Sequence, residues 1–332
     1  MHVYAGIDEA GYGPMFGPFV LARSVFVFDD DTATDPIQNP PCLWETLNAA
    51  VCRQASDKRR RIAINDSKKL YTPKGKAGLK HLERGVLAFA GLAKSLKKTD
   101  TLESLLDAIG NDSDSRIPDI LWYQDEQGGP QLPLHHTADQ IGIASAGVRR
   151  AGEAVGLKHV GLSAAVVYED RFNKLIDATR SKARCTWTFV ARHLHEIWTQ
   201  YGNHSPRVVV DRQGGRKVYH QLLQLLFQDA ELRLIDESDD ISCYQMIQGE
   251  RSMTVSFETG ADLNHLPVAL GAMTAKYLRE LLMIRFNRYF ANQVPQIKPT
   301  AGYVQDGRRF LAEIEPVIRS LSIDRDLLIR RR

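Results

Sequence analysis

Cysteine is scarce and scattered. Cys42, Cys52, Cys185 and Cys243 form no CxxC pair and have no histidine at a zinc-like spacing, which argues against both a metal knuckle and a disulfide framework. Buried reduced thiols are expected instead. No apolar run approaches the ~18 residues of a membrane span. The N-terminus has neither the basic start nor the small-residue cleavage site of a signal peptide, so a cytoplasmic chain with no membrane partner is expected. No internal repeat is evident. Net charge is small as well, +3 over 332 residues; with 43% hydrophobic and 25% charged residues, a soluble globular protein with a sizeable core follows, while disorder is excluded. That length fits two domains, or one large α/β domain with insertions.

The small net charge conceals strong segregation. Arg53–Lys98 carries fourteen Lys and Arg against Asp57, Asp66 and Glu83, whereas Asp100–Gln140 carries nine acids against Arg116 alone. The basic stretch suits a phosphate-facing surface, though a solvated helix face explains it equally well.

VYAGI (3–7) and FVLARSVFVF (19–28) are rich in β-branched and aromatic residues and are separated by a glycine turn, which predicts a hairpin or two adjacent strands. Apolar residues recur every three or four positions from Pro73 onward, predicting a long helix. The acidic section after it is punctuated by Pro118, Gly128, Gly129, Pro130 and Pro133 and reads as an inserted excursion. Strands are expected at 160–168, 207–211, 231–235 and 252–257. Helices are expected over 171–200, as one or a broken pair, over KVYHQLLQLLFQ, and over 267–290, which has proline in its first turn. This alternation predicts an α/β fold with a mixed sheet. The organisation expected is 1–99 as the first part of the main domain, 100–160 as an insertion, and 161–332 as the remainder with a helical C-terminal part.

Acids stand at telling places. Asp8 and Glu9 follow the first strand inside GIDEAGYGP, Asp211 ends RVVVD, and Glu280 lies in AKYLRELL. Carboxylates held close on rigid elements raise one another's pKa unless a cation joins them. Magnesium and manganese favour such oxygen ligands, and two ions would suit in-line phosphodiester displacement. Singly, each acid is more often a turn former or helix cap. Within a turn containing Gly11, Gly13 and Gly17, however, backbone N–H groups could approach a nucleic-acid backbone closely. Asp66 and Ser67 form a turn that presents Lys68 and Lys69, for phosphate contact or as plain surface lysines. Trp122 and Tyr123 are expected to pack the insertion onto the main domain, Trp187 and Trp198 to be core, and His135 and His136 to lie in a surface loop.

GIDEAGYGPMFGP, NDSKKL, VVVD and AMTAKYLRE occur in the order and context found in type 2 ribonucleases H, and the sequence resembles a divergent member of the ribonuclease HII/HIII group. The similarity extends through FNKLIDATRSKARCTWTFVARHL and KPTAGY. The resemblance implies a ribonuclease H-like fold: a mixed five-stranded sheet flanked by helices, here with the inserted acidic subdomain and helical C-terminal part. It implies that Asp8, Glu9, Asp211 and Glu280 hold two Mg2+ or Mn2+ ions. The turn of Gly11, Tyr12 and Gly13 would touch the ribose 2′-OH, the group that separates RNA from DNA. Lys68, with Lys69 beside it, would lie near the scissile phosphate, and Tyr303 would stack at the junction. The implied activity is two-metal hydrolysis of the RNA strand of an RNA–DNA hybrid, or of ribonucleotides embedded in a duplex, by a monomer, leaving a 5′-phosphate and a 3′-hydroxyl. The sequence departs from the family's pattern in Tyr12, where ribonuclease HII usually has arginine, in Glu280 for aspartate, and in Arg212 for glycine. Two other readings stay open: a hybrid- or duplex-binding protein without turnover, and a related nuclease of structured DNA.

Overall fold

The computed structural model describes residues 1–29, 41–71, 78–92, 100–110, 115–124, 131–212 and 215–331. Lys74, Lys76, Lys94, Lys97 and Lys98 of the basic stretch, and Gly128, Gly129 and Pro130, lie outside the described residues. Among those described, the strands are β1 (His2–Ala10), β2 (Phe19–Phe28), β3 (Val51–Cys52), β4 (Ile62–Ala63), β5 (Leu157–Val167), β6 (Arg207–Asp211), β7 (Glu231–Glu237), β8 (Ile241–Gln248) and β9 (Arg251–Glu258). The helices are α1 (Leu43–Thr46), α2 (Ser67–Leu70), α3 (Lys80–Ala90), α4 (Leu102–Ile109), α5 (Ala138–Glu153), α6 (Glu169–Thr179), α7 (Lys182–Tyr201), α8 (His220–Leu226), α9 (Ala261–Asn264), α10 (Leu266–Gln293), α11 (Val304–Ser320) and α12 (Arg325–Leu328).

The strands build a mixed sheet in the order β5-β2-β1-β6-β9-β8-β7, flanked by helices on both faces. It has seven strands among the described residues, not the expected five. The extension is the β7–β8 hairpin, and β8 (ISCYQMIQ) escapes a sequence reading because Ser242, Cys243 and Gln245 interrupt its apolar run. β1 pairs antiparallel with β2 and parallel with β6, which in turn pairs parallel with β9. The expected helix over 171–200 is a broken pair, α6 and α7, with Arg180 at φ +54 between them.

Side chains alternate across β1 with period two. Val3, Ala5 and Ile7 enter one core with α6, α7 and α8, while Tyr4 faces the other core, which holds α3, α5 and α10. Trp122 and Tyr123 are buried in that second layer, Trp122 against Phe286, Tyr289 and Phe290. The section after residue 100 thus packs on the same core, and β5 pairs with β2. His136 does not lie free in a loop: its Nδ1 is 2.9 Å from the buried Glu83 carboxylate, which also accepts from the N–H groups of Leu134 and His135.

α10 is buried on nearly every side, as a helix in the middle of a core must be. It crosses β1 so closely that a Cβ on Gly6 would lie 2.1 Å from the Val268 nitrogen. Gly6→Ala is therefore expected to destabilise the protein by about 3 kcal/mol, since backbone rather than a flexible side chain must move. Urea denaturation measures this, and an unchanged midpoint would mean that α10 shifts freely. No helix among the described residues is long and apolar enough to cross a membrane.

Candidate functional site

The register Ile7↔Val210 sets Asp8 and Asp211 side by side at the C-terminal ends of two parallel strands. Both belong to the set of alternating positions that faces α10, with Tyr4 on β1 and Val209 on β6, so the two carboxylates share one face. Asp8 is 8% exposed, and its Oδ1 accepts the Glu9 N–H at 2.6 Å. Burial first, then the charges of Asp211 and Glu9, push its carboxyl well above the usual range, with Asp262 adding to the effect.

Asp211 is pushed up to about 6. Burial is the main cause; the Ala261 N–H, donated to Oδ1 at 2.9 Å, opposes it, and Asp262 raises it further. Lys68 pulls the other way. Asp262 is itself raised, by burial and by Asp66, against Lys68 and Lys69. Asp66 caps α2 by accepting the Lys68 N–H at 2.8 Å. That turn brings both lysines to the acids.

The structure thus brings Asp8, Glu9 and Asp211 into one electrostatic group and adds Asp262, which the sequence reading missed. The signal was there: an acid in TGAD directly after a strand that pairs with the strand ending in Asp211. Glu280, the fourth acid expected there, is not among the charges that act on Asp8, Asp211 or Asp262 and is engaged by other partners. Gly271 of α10 packs against the Asp8 backbone, a Cβ there lying 3.5 Å from the Asp8 nitrogen. Glu280 is nine residues further on in the same helix, and its neighbour Arg279 reaches the turn at Gly11. Its carboxylate meets Lys276 Nζ at 2.8 Å, Arg279 Nη1 at 3.3 Å and the Tyr71 hydroxyl at 2.7 Å. Burial would raise its pKa, but the two cations and the hydroxyl reverse this and hold it below the usual range. A carboxylate neutralised this way has little call for a metal.

Gly11 and Gly17 of the turn have φ of +87 and +83, values that disfavour any side chain. Tyr12 is half-buried over the α7 side, with Lys182 Nζ 5.9 Å from its ring. Burial and Glu9 raise its pKa while Arg216 lowers it, so cations border the turn although the arginine of the family pattern is missing. Tyr303 is 53% exposed, next to Gly13, where a Cβ would lie 4.0 Å from its ring. It is a free face rather than core packing. Arg53 stacks 3.4 Å over Trp44 and donates to the Leu263 carbonyl, bracing the loop of Asp262.

Among the described residues no group of three or more His, Cys, Asp or Glu side chains is arranged so as to hold a metal ion. The donor set nevertheless fits a hard divalent cation: it is all carboxylate oxygen, and buried like charges are what such an ion relieves. Asp8 and Asp211 each turn one oxygen to a backbone N–H, which fixes their orientation.

No protein-family model and no curated protein matches the chain. Among solved structures it is similar to the PCNA:RNase HII complex from Archaeoglobus fulgidus (15% identity, 99% of this chain and 94% of that one, TM-score 0.41). It is also similar to the ribonuclease H2 from Pyrococcus horikoshii (14%, 98% and 92%, TM-score 0.43). A third is Bst-RNase HIII in complex with Mn2+ (12%, 99% and 66%, TM-score 0.41).

Proposed function

We propose that the chain is a divergent type 2 ribonuclease H, a metal-dependent endonuclease that cuts the RNA strand of RNA–DNA hybrids. The observation that carries this reading is the adjacency of Asp8 and Asp211, a buried and a half-buried carboxylate both pushed above their ordinary range, the first of them partly by the charge of the second, beside a glycine turn and a pair of lysines. A protein tolerates such repulsion where a bound cation offsets it.

Asp8, Glu9, Asp211 and Asp262 would hold Mg2+ or Mn2+. A divalent ion at such a site lowers the pKa of water and neutralises charge developing on phosphate. The chain's own residues supply the rest. Lys68 and Lys69, exposed on α2, take the phosphate that faces the acids. The Gly11–Gly13 backbone approaches the sugar, where only RNA has a 2′-OH. Tyr303 offers a flat, half-exposed ring for stacking. Water attacks phosphorus in line and the 3′ oxygen leaves, giving a 5′-phosphate and a 3′-hydroxyl.

A panel of an RNA–DNA hybrid, a duplex with one embedded ribonucleotide and an all-DNA duplex, each with Mg2+ or Mn2+, tests this. Cleavage of the hybrid and not of the all-DNA duplex is expected. Binding with no cleavage in either metal would mean a binding protein instead. Affinity for the hybrid is expected to fall steeply with salt, and Lys68→Ala to reduce the slope of log K against log salt by about one unit. An unchanged slope would remove Lys68 from the phosphate.

A further inference from the structure

The Gly11–Gly17 turn is held by groups far away in sequence that the proposed chemistry does not use. Arg330, 2% exposed, donates through Nη2 to the carbonyls of Gly11 and Pro14, and its backbone N–H donates to the Met15 carbonyl at 2.9 Å. Arg279 Nη2 donates to the carbonyls of Phe16 (3.1 Å) and Ala301 (3.0 Å). Glu169 Oε1 accepts the Gly17 N–H at 2.9 Å and the Tyr123 hydroxyl at 2.7 Å. Arg330 is itself seated by its neighbours. Asn173 Nδ2 donates to the carbonyls of Asp326 and Ile329, its Oδ1 accepts the Arg331 N–H at 2.7 Å, and the Arg330 guanidinium lies 4.8 Å over the Phe172 ring.

Burying the guanidinium groups of Arg330 and Arg279, with Glu169 and Glu280 as their carboxylates, carries a heavy desolvation penalty that apolar residues of similar volume would not. Burial, with Arg279 beside it, pulls Arg330 down to about 10, and burial pushes Glu169 up to about 7. What arginine supplies and a methionine cannot is donors for turn carbonyls. Those carbonyls have no strand ladder to join, because the positive φ at Gly11 and Gly17 bends the chain out of the sheet.

We propose that Arg330 is a positioning residue: by tying down the Gly11 and Pro14 carbonyls, it fixes the backbone of the turn in the shape that meets the ribose-bearing strand. This rests on the turn's being a substrate contact. Losing Arg330 leaves the acids in place but lets the turn move against the sugar. Such misplacement slows the chemical step more than it weakens binding, since the lysines still hold phosphate.

In the full chain, Arg330→Met is expected to lower kcat on an RNA–DNA hybrid about tenfold with KM within about twofold. It is also expected to speed amide exchange of residues 11–17 about tenfold while β1 and β6 keep their rates. Arg330→Lys should recover part of both. Should Arg330→Met not fold, Asn173→Ala, which unseats residues 326–331 without touching the turn, carries the same expectation at smaller size. A folded variant with unchanged kcat, or with turn amides exchanging as in the parent, overturns the assignment. A parent protein that cleaves no hybrid overturns the functional reading instead, and the exchange rates then decide whether Arg330 fixes the turn.

Discussion

Asp211→Asn is expected to reduce hybrid cleavage by about 10³-fold or more, and at the same time to raise the melting temperature of the metal-free protein. The first effect corresponds to about 4 kcal/mol of lost transition-state stabilisation, the scale of removing an oxygen donor from a metal-assisted site. The second follows from burial and like charge. The folded Asp211 pKa of about 6 stands above the ordinary value of 3.8, so the folded chain binds the proton more tightly than the unfolded chain does. Below about pH 4 both states are protonated and nothing is lost. As pH rises from about 4 to about 6, the metal-free wild type loses on the order of 2 kcal/mol, and above that the loss is complete. Asparagine carries no charge, and its Oδ1 still accepts the Ala261 N–H. The variant should therefore lack this drop and melt a few degrees higher at about pH 7.5. Mg2+ should raise the wild-type melting temperature and leave the variant's nearly unchanged. Equal melting of the two without metal, or cleavage by the variant, would sink the idea that these carboxylates repel for a catalytic purpose. Asp8→Asn should behave alike, because the amide oxygen it introduces can keep the Glu9 N–H.

The second large effect separates Asp262 from Glu280. Asp262→Asn is expected to lower kcat by about 10²-fold or more with folding intact, because the residue sits in a short helix and its charge is already disfavoured by burial and by Asp66. Glu280→Gln should do the reverse. It leaves the buried Arg279 and the half-buried Lys276 without their carboxylate, and breaking such a pair costs about 3 kcal/mol, so the melting temperature should fall while cleavage stays within about fivefold. A Glu280→Gln protein that melts normally and cleaves nothing would restore Glu280 to the metal site and remove Asp262.

Why the sequence pointed to Glu280 is instructive. An acid on a strong helix next to a recognisable AKYLRE stretch looks rigidly placed, and rigidity is what a catalytic carboxylate needs. Two clues went the other way: Lys276 stands four residues before Glu280, the spacing of a helical ion pair, and Arg279 adjoins it. Asp262 lies in a four-residue helix after a glycine, where local pattern says only turn. Its importance comes from strand order, with β9 beside β6 beside β1, which no local period encodes. Asp8, Glu9 and Asp211 were legible because strand exits show in the pattern of β-branched runs. The contacts of Glu169, Arg279 and Arg330 with the glycine turn were not, since charged residues are read as solvated unless tertiary structure says otherwise.

The seat of α10 on β1 has a consequence for biosynthesis. β1 and β2 leave the ribosome well before the helix that covers them at Gly6 and Gly271, which follows roughly 260 positions later, or about 13–50 s at typical elongation rates. For that interval the strand surface at Gly6 and Ala22 lacks its native cover, leaving part of one sheet face exposed during synthesis.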